Sequence, residues 1–182
     1  MSVASPRYRS RIQQLLTELQ IPSDYPAKRG LDLQEEATEL VSIGQDDNGR
    51  DCLLTPAAAE AWRTMRARAR TSGVELVPLS GFRSVERQVE IIRGKCAVGE
   101  SLEDILRTIA APGYSEHHTG HAIDVGTPDS LPLEEAFATT AAFAWLNRHA
   151  EAFGFRLSYP RDNRHGFIYE PWHWFWTGWK RA

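Results

Sequence analysis

The stretch Ser115-Glu116-His117-His118-Thr119-Gly120-His121-Ala122-Ile123-Asp124 places three of the chain's six histidines and a carboxylate within ten residues. Thr119-Gly120 discourages one continuous helix and suits a loop that runs into a strand. On such a strand Ala122 and Asp124 share a face, and the small alanine leaves room beside the carboxylate. Imidazole nitrogen and carboxylate oxygen both suit Zn²⁺, which in catalytic sites takes three protein ligands and keeps one position open. His117 and Asp124 are the favoured pair. The competing pair, His117 with His121 on a helix, belongs to a motif that needs Glu directly after the first His. Here that residue is His118, and Gly120 weakens the helix further. His118 and His121 therefore read as neighbours of the ligands or as solvent-facing groups.

A third ligand has to come from elsewhere, and Glu170-Pro171-Trp172-His173-Trp174 offers His173 with an acid three residues before it. Glu170 stands among Phe167, Ile168, Tyr169, Trp172, Trp174, Phe175 and Trp176. A carboxylate in such surroundings has a raised pKa, which suits a general base. An ideal strand points residues 170 and 173 to opposite faces, so Pro171 is expected to bend the chain there. Arg83, in Ser80-Gly81-Phe82-Arg83-Ser84, is expected at a strand-to-helix junction from which a side chain reaches a cleft.

These three blocks resemble the zinc D-Ala-D-Ala carboxypeptidases of the VanY/VanX type. The family pattern is Ser-x-His-x-x-Gly-x-Ala-x-Asp, then Glu-x-x-His in a Trp-flanked run, preceded by Ser-Gly-(Tyr/Phe)-Arg-Ser. All three occur in the family's order between Pro78 and Trp176. The resemblance implies a Zn²⁺ held by His117, Asp124 and His173, with Glu170 as base and acid. It also implies Arg83 as oxyanion stabiliser or substrate anchor, and Ser115 and Gln88 as substrate contacts. The implied fold is α+β, a small central antiparallel sheet flanked by helices, Hedgehog/DD-peptidase-like. The implied activity is removal of a terminal D-alanine from peptidoglycan stem peptides or muropeptides, at a D,D or an L,D bond. A cell-wall endopeptidase and a non-catalytic peptidoglycan-binding zinc domain are the rivals, and Glu170 argues against the second because binding alone needs no base. Phe82 stands where Tyr is commoner, and His121 where an apolar or long side chain is.

With 182 residues, 42% of them hydrophobic, the chain fits one folded unit. Residues 1–73 are expected to add a helix, a hairpin and a second helix to a zinc carboxypeptidase core at 74–182. A net charge of −3, from 21 basic and 24 acidic residues, gives no global basic field for nucleic acid. Arg63, Arg66, Arg68 and Arg70 read as a solvated helix face. The N-terminus lacks the apolar region of a secretory signal, and no stretch approaches the roughly 18 apolar residues of a membrane span. If Met1 is the natural start, the expectation is a cytoplasmic protein. Cys52 and Cys96 are expected as reduced thiols.

Periodicity predicts a helix over Arg9–Leu19 and a connecting loop over 23–30. A hairpin is expected around Asp46-Asp47-Asn48-Gly49, which lacks the spacing of a Ca²⁺ loop. A helix follows from Thr55-Pro56 to Ser72-Gly73, with Trp62, Met65 and Ala69 inward, then a strand over 74–79. Ser84 caps a helix expected to stop at Gly94, and Ser101 begins another that reaches Ile109. A loop over 126–129 precedes a helix from Thr140 to Phe153, stopped by Gly154. Strands are expected at 155–157 and 166–169, and the Trp172–Trp179 run as sheet core or cleft wall.

Overall fold

The computed structural model describes residues 4–128 and 130–178; Asp129, the last residue of the expected 126–129 loop, and Trp179 of the Trp172–Trp179 run lie outside the described residues. The first helix, α1 (Pro6–Glu18), is capped by the Ser5 hydroxyl and buries Ile12 and Leu16. Residues 23–30 are not simply loop, because Tyr25–Arg29 form a short helix, α2, that Gly30 ends in the left-handed conformation. Strands β1 (Val41–Gln45) and β2 (Asp51–Leu54) make the expected antiparallel hairpin. Its turn is organised by the Asp46 carboxylate, which accepts from the backbone N–H groups of Asn48 and Arg50.

Helix α3 (Pro56–Thr71) buries Trp62, Met65 and Ala69. Strand β3 (Val77–Ser80) then leads to α4 (Val85–Ala97), whose start is capped by Ser84. Gly94 does not stop α4. It is exposed, and a β-carbon added there would meet no neighbouring group within 4 Å, so the helix runs past it to Ala97 at only the modest propensity cost of an interior glycine. Helix α5 (Leu102–Thr108) starts at a Ser101 cap as expected. Strand β4 (Ala122–Gly126) follows a 3-10 turn at Glu116–Thr119. Helix α6 (Ala141–His149) continues as a 3-10 turn over Ala150–Phe153 and ends at Gly154, φ 83°. The last strands are β5 (Phe155–Leu157) and β6 (His173–Trp176).

Residues 166–169 are not a strand. The Ile168 N–H donates to Arg107 O, and the Asn163 amide donates to Phe167 O, so the backbone is satisfied without a ladder.

Four strands form one antiparallel sheet in the order β3-β4-β6-β5. Alternation along β4 sorts its residues by face: Ile123 and Val125 enter the main core, while Asp124 points the other way. Ile123 pairs with Trp174, and Asp124 with His173. The core face packs on the hairpin, α3 and α6, through Leu54, Trp62, Met65, Leu146 and Trp174. A second cluster joins α1 and α2 to Val85 of α4 and Leu106 of α5. Among the described residues, no helix is long and apolar enough to cross a membrane.

Candidate active site

The face of the sheet opposite the core carries the histidine and carboxylate cluster. His117, Asp124 and His173 are all buried, and one donor atom from each lies within 4.8 Å of the others. Asp124 and His173 face each other because they are register partners on β4 and β6. His117 arrives from the 3-10 turn before β4, which Gly120 closes at φ 65°. An added β-carbon at Gly120 would press on Leu40, Ala37 and Thr55 at 3.0–3.1 Å.

Hydrogen bonds fix which nitrogen each histidine presents. His117 Nδ1 lies 2.6 Å from Gly81 O, and a carbonyl only accepts, so Nδ1 carries the proton. Its Nε2 lone pair is left toward Asp124 Oδ2 at 3.3 Å. Burial holds the His117 pKa below its ordinary value, so the ring is neutral. His173 Nε2 meets Glu116 Oε2 at 2.9 Å, and its Nδ1 meets Asp124 Oδ1 at 3.0 Å. Burial opposes charge on His173, but its hydrogen bonds to Asp124 and Glu116 prevail and push its pKa up to about 10. Burial likewise opposes charge on Asp124, yet the two histidines hold its carboxyl well below the usual carboxylate range. The place between these three side chains thus favours positive charge. Two imidazole nitrogens and a carboxylate oxygen, each backed by a hydrogen bond or an opposed charge, make a donor set that fits a zinc-sized divalent cation.

Glu170 is buried beside this cluster, and burial pushes its carboxyl up to about 7. Pro171 and Trp172 form a turn closed by the His173 N–H donating to Glu170 O, the bend expected at Pro171. The turn frees residues 170 and 173 from strand alternation, so both side chains line one cleft. Arg83 enters the same cleft from the β3-to-α4 junction. Its Nη1 donates to Gln88 Oε1 at 3.1 Å and its Nη2 to Ser80 Oγ at 3.4 Å. Gln88 is fully buried, and its own amide N–H donates to Ala110 O. Ser115 is buried at the cleft wall, and its hydroxyl accepts from the His117 N–H. All seven singled-out residues (Arg83, Gln88, Ser115, His117, Asp124, Glu170 and His173) therefore meet in one cleft of about 440 Å³.

His118 is neither solvent-facing nor part of the cluster. It is fully buried, Nδ1 donating to Arg83 O and Nε2 accepting from the Gly113 N–H, so it ties two loops together. His121 packs edge-on against Phe175 and Trp176. His165 meets Arg29 O through Nδ1, and His149 packs on Trp145. Both cysteines are free thiols.

Two neighbours of the cluster escape the sequence reading. Glu116 accepts from Ser158 Oγ at 2.5 Å and Arg156 at 2.9 Å as well as facing His173. Burial raises its pKa, but His173, Ser158 and Arg156 outweigh burial and keep it ionised. Tyr159 stacks on the His173 ring, centroids 4.8 Å apart. The signal for Glu116 was its place between Ser115 and the ligand candidate His117; Tyr159 carried none.

Three convergent donors, a buried carboxyl and a guanidinium in one cleft are the equipment of a metal-dependent hydrolase. The comparisons give the particular family: the model for VanY, D-alanyl-D-alanine carboxypeptidase, matches residues 51–179, and the chain belongs to that family. YodJ of Bacillus subtilis (strain 168) is 37% identical over 129 residues, 69% of this chain and 46% of that protein. VanXYC of Enterococcus gallinarum, a bifunctional D-Ala-D-Ala dipeptidase and carboxypeptidase, is 31% identical across 87% of this chain and 82% of its own. The LD-carboxypeptidase LdcB superposes with a TM-score of 0.72 at 31% identity, over 81% of this chain and 72% of that one. A VanY from a VanB-type resistance cassette, solved with Zn(II), gives 0.59 at 27% identity, over 84% and 82% of the two chains. The chain spans about half the length of YodJ and of a D-alanyl-D-alanine carboxypeptidase of Enterococcus faecalis, 46% and 53% respectively.

Proposed function

We propose that this chain is a zinc-dependent carboxypeptidase that removes a terminal D-alanine from peptidoglycan-derived peptides. The observation that carries the reading is the meeting of His117, Asp124 and His173 with the buried Glu170 in one cleft. His117 Nε2, His173 Nδ1 and an Asp124 oxygen would hold the zinc; the zinc-bound VanY relative supports that choice of metal. When bound there, zinc supplies a Lewis acid that polarises the scissile carbonyl and makes water a better nucleophile.

Glu170 takes a proton from the attacking water at its carboxylate and returns it to the leaving amine. A carboxyl pushed up to about 7 by burial exchanges that proton readily at neutral pH. Arg83, held by Gln88 and Ser80, donates its free N–H groups to the oxygen that gains charge or to the substrate's terminal carboxylate. Gln88 acts here as the support of Arg83, since both ends of its amide are engaged. Glu116 orients the His173 ring through Nε2, and Ser115 sets the backbone of His117.

The test is digestion by the zinc-loaded protein of a pentapeptide ending D-Ala-D-Ala and a tetrapeptide ending in one D-Ala, followed by mass. Loss of one alanine from either supports the proposal, and the peptide that loses it identifies the bond. If neither is cut while zinc is bound, the carboxypeptidase reading fails.

A further inference from the structure

The active-site cleft is longer than a single departing alanine requires, and its far end carries a cation the mechanism does not use. Gln88, Ile91 and Lys95, at i, i+3 and i+7, put one face of α4 along its wall. Gln88 holds Arg83 at the catalytic end. Lys95 stands seven residues further on, about 10 Å along the helix axis, the length of about three extended residues. Resting on the carboxypeptidase reading, only one substrate residue lies on the leaving side of the bond. The length toward Lys95 therefore holds the amino-terminal part of the substrate.

Apolar groups, among them Ile91, Ile109, Phe167 and Ile168, also line the cleft. Among the described lining residues, Lys95 is the only lysine, and Arg83 the only arginine. We propose that Lys95 is a specificity residue whose ammonium binds a free carboxylate carried by the substrate about three residues upstream of the group that Arg83 holds beside Gln88. Its present partner shows the chemistry: Nζ donates to both carboxylate oxygens of Glu100, at 2.8 and 2.9 Å. That pair is part-exposed, so a substrate carboxylate can replace Glu100 at little cost. Peptidoglycan stems offer two such groups, the α-carboxylate of a γ-linked D-glutamate and the side-chain carboxylate of meso-diaminopimelate, and amidation removes either charge.

The experiment compares synthetic stem peptides with acid or amide at the second residue, and acid or amide at the third. Wild-type protein, Lys95→Met and Glu100→Gln are assayed for KM and kcat. Wild type is expected to favour one acid over its amide by about three- to fivefold, through KM, as for a part-exposed charge pair. Lys95→Met should lose that preference with kcat unchanged, and Glu100→Gln should keep or increase it. The position whose amidation matters identifies the carboxylate. Equal treatment of acids and amides by wild type, or an acid preference that survives Lys95→Met, overturns the proposal and leaves the carboxypeptidase reading intact. If no peptide is cut, that reading has failed, and calorimetric binding of the same acid and amide peptides to wild type and Lys95→Met still decides the role of Lys95.

Discussion

Gly81→Ala tests how the site is built onto the fold. A β-carbon at residue 81 would lie 2.4 Å from Leu53 O, 2.9 Å from Leu53 N and 3.2 Å from Leu53 C. These are backbone atoms of β2, which cannot turn aside as a side chain can. The same segment is tied by the Phe82 N–H donating to Leu53 O at 2.6 Å, and the Gly81 carbonyl accepts from the His117 Nδ1–H. Overpacking of this kind costs about 1–3 kcal/mol, and weakening one of the two hydrogen bonds adds about 1 kcal/mol. The expected loss is about 2–4 kcal/mol, or about 4–16 °C in Tm for a chain of this size. Gly94→Ala is the paired control, since the added β-carbon would meet nothing within 4 Å beyond the backbone of α4 itself. It should gain about 0.5–1 kcal/mol from helix propensity alone. Urea unfolding of both metal-free variants measures the difference, and zinc affinity should fall in the first alone because His117 moves with Gly81. If Gly81→Ala is as stable as wild type, the close approach of residue 81 to β2 does not constrain the site.

Glu116→Gln should weaken zinc binding by about tenfold or more while leaving the fold intact, since it removes the charge facing His173 Nε2; competition with a chromophoric chelator reads this, and unchanged affinity would deny Glu116 its orienting role. Burial, with nearby carboxylates, pushes the Cys52 thiol up to about 11, while Cys96 is exposed. One thiol should therefore react promptly with a disulfide reagent in native protein and the second only on unfolding; two prompt equivalents would contradict the buried placement. Arg29 lies 5.1 Å from both the Tyr25 and Phe167 rings and donates to His165 O and Gly166 O. Arg29→Ala should cost about 1–2 kcal/mol and speed amide exchange in residues 165–168; unchanged exchange there would show that α2 does not hold the loop.

The metal candidates are legible in sequence because ligand chemistry restricts residue types and strand alternation restricts spacing. His117 and Asp124 straddle the loop-to-strand junction that Thr119-Gly120 announces, and Pro171 announces the turn that lets Glu170 and His173 share a cleft. The starts of α4 and α5 were equally legible, since the hydroxyls of Ser84 and Ser101 do accept from the first turns, whereas α1 begins at Pro6 on a Ser5 cap, ahead of the apolar periodicity that placed its start at Arg9. Glu116 was not, because its place depends on Ser158, Arg156 and His173, more than 40 residues away except for Arg156 at 40. The apolar run at 166–169 read as a strand, but Phe167 joins a small cluster with Ala110 and Tyr159, and Ile168 is exposed. Gly94 read as a stop because helix termination by glycine needs a left-handed turn, and nothing local shows that the chain does not take one there.

The most direct measurement of the central claim is the alanine released from the pentapeptide and tetrapeptide stems by wild type and by Glu170→Gln, each with its zinc content determined. The account predicts about one zinc per chain in both proteins, release by wild type, and a loss of at least about a hundredfold in rate for the variant. Turnover that survives in zinc-loaded Glu170→Gln would contradict the assignment of Glu170 as the group that moves the proton.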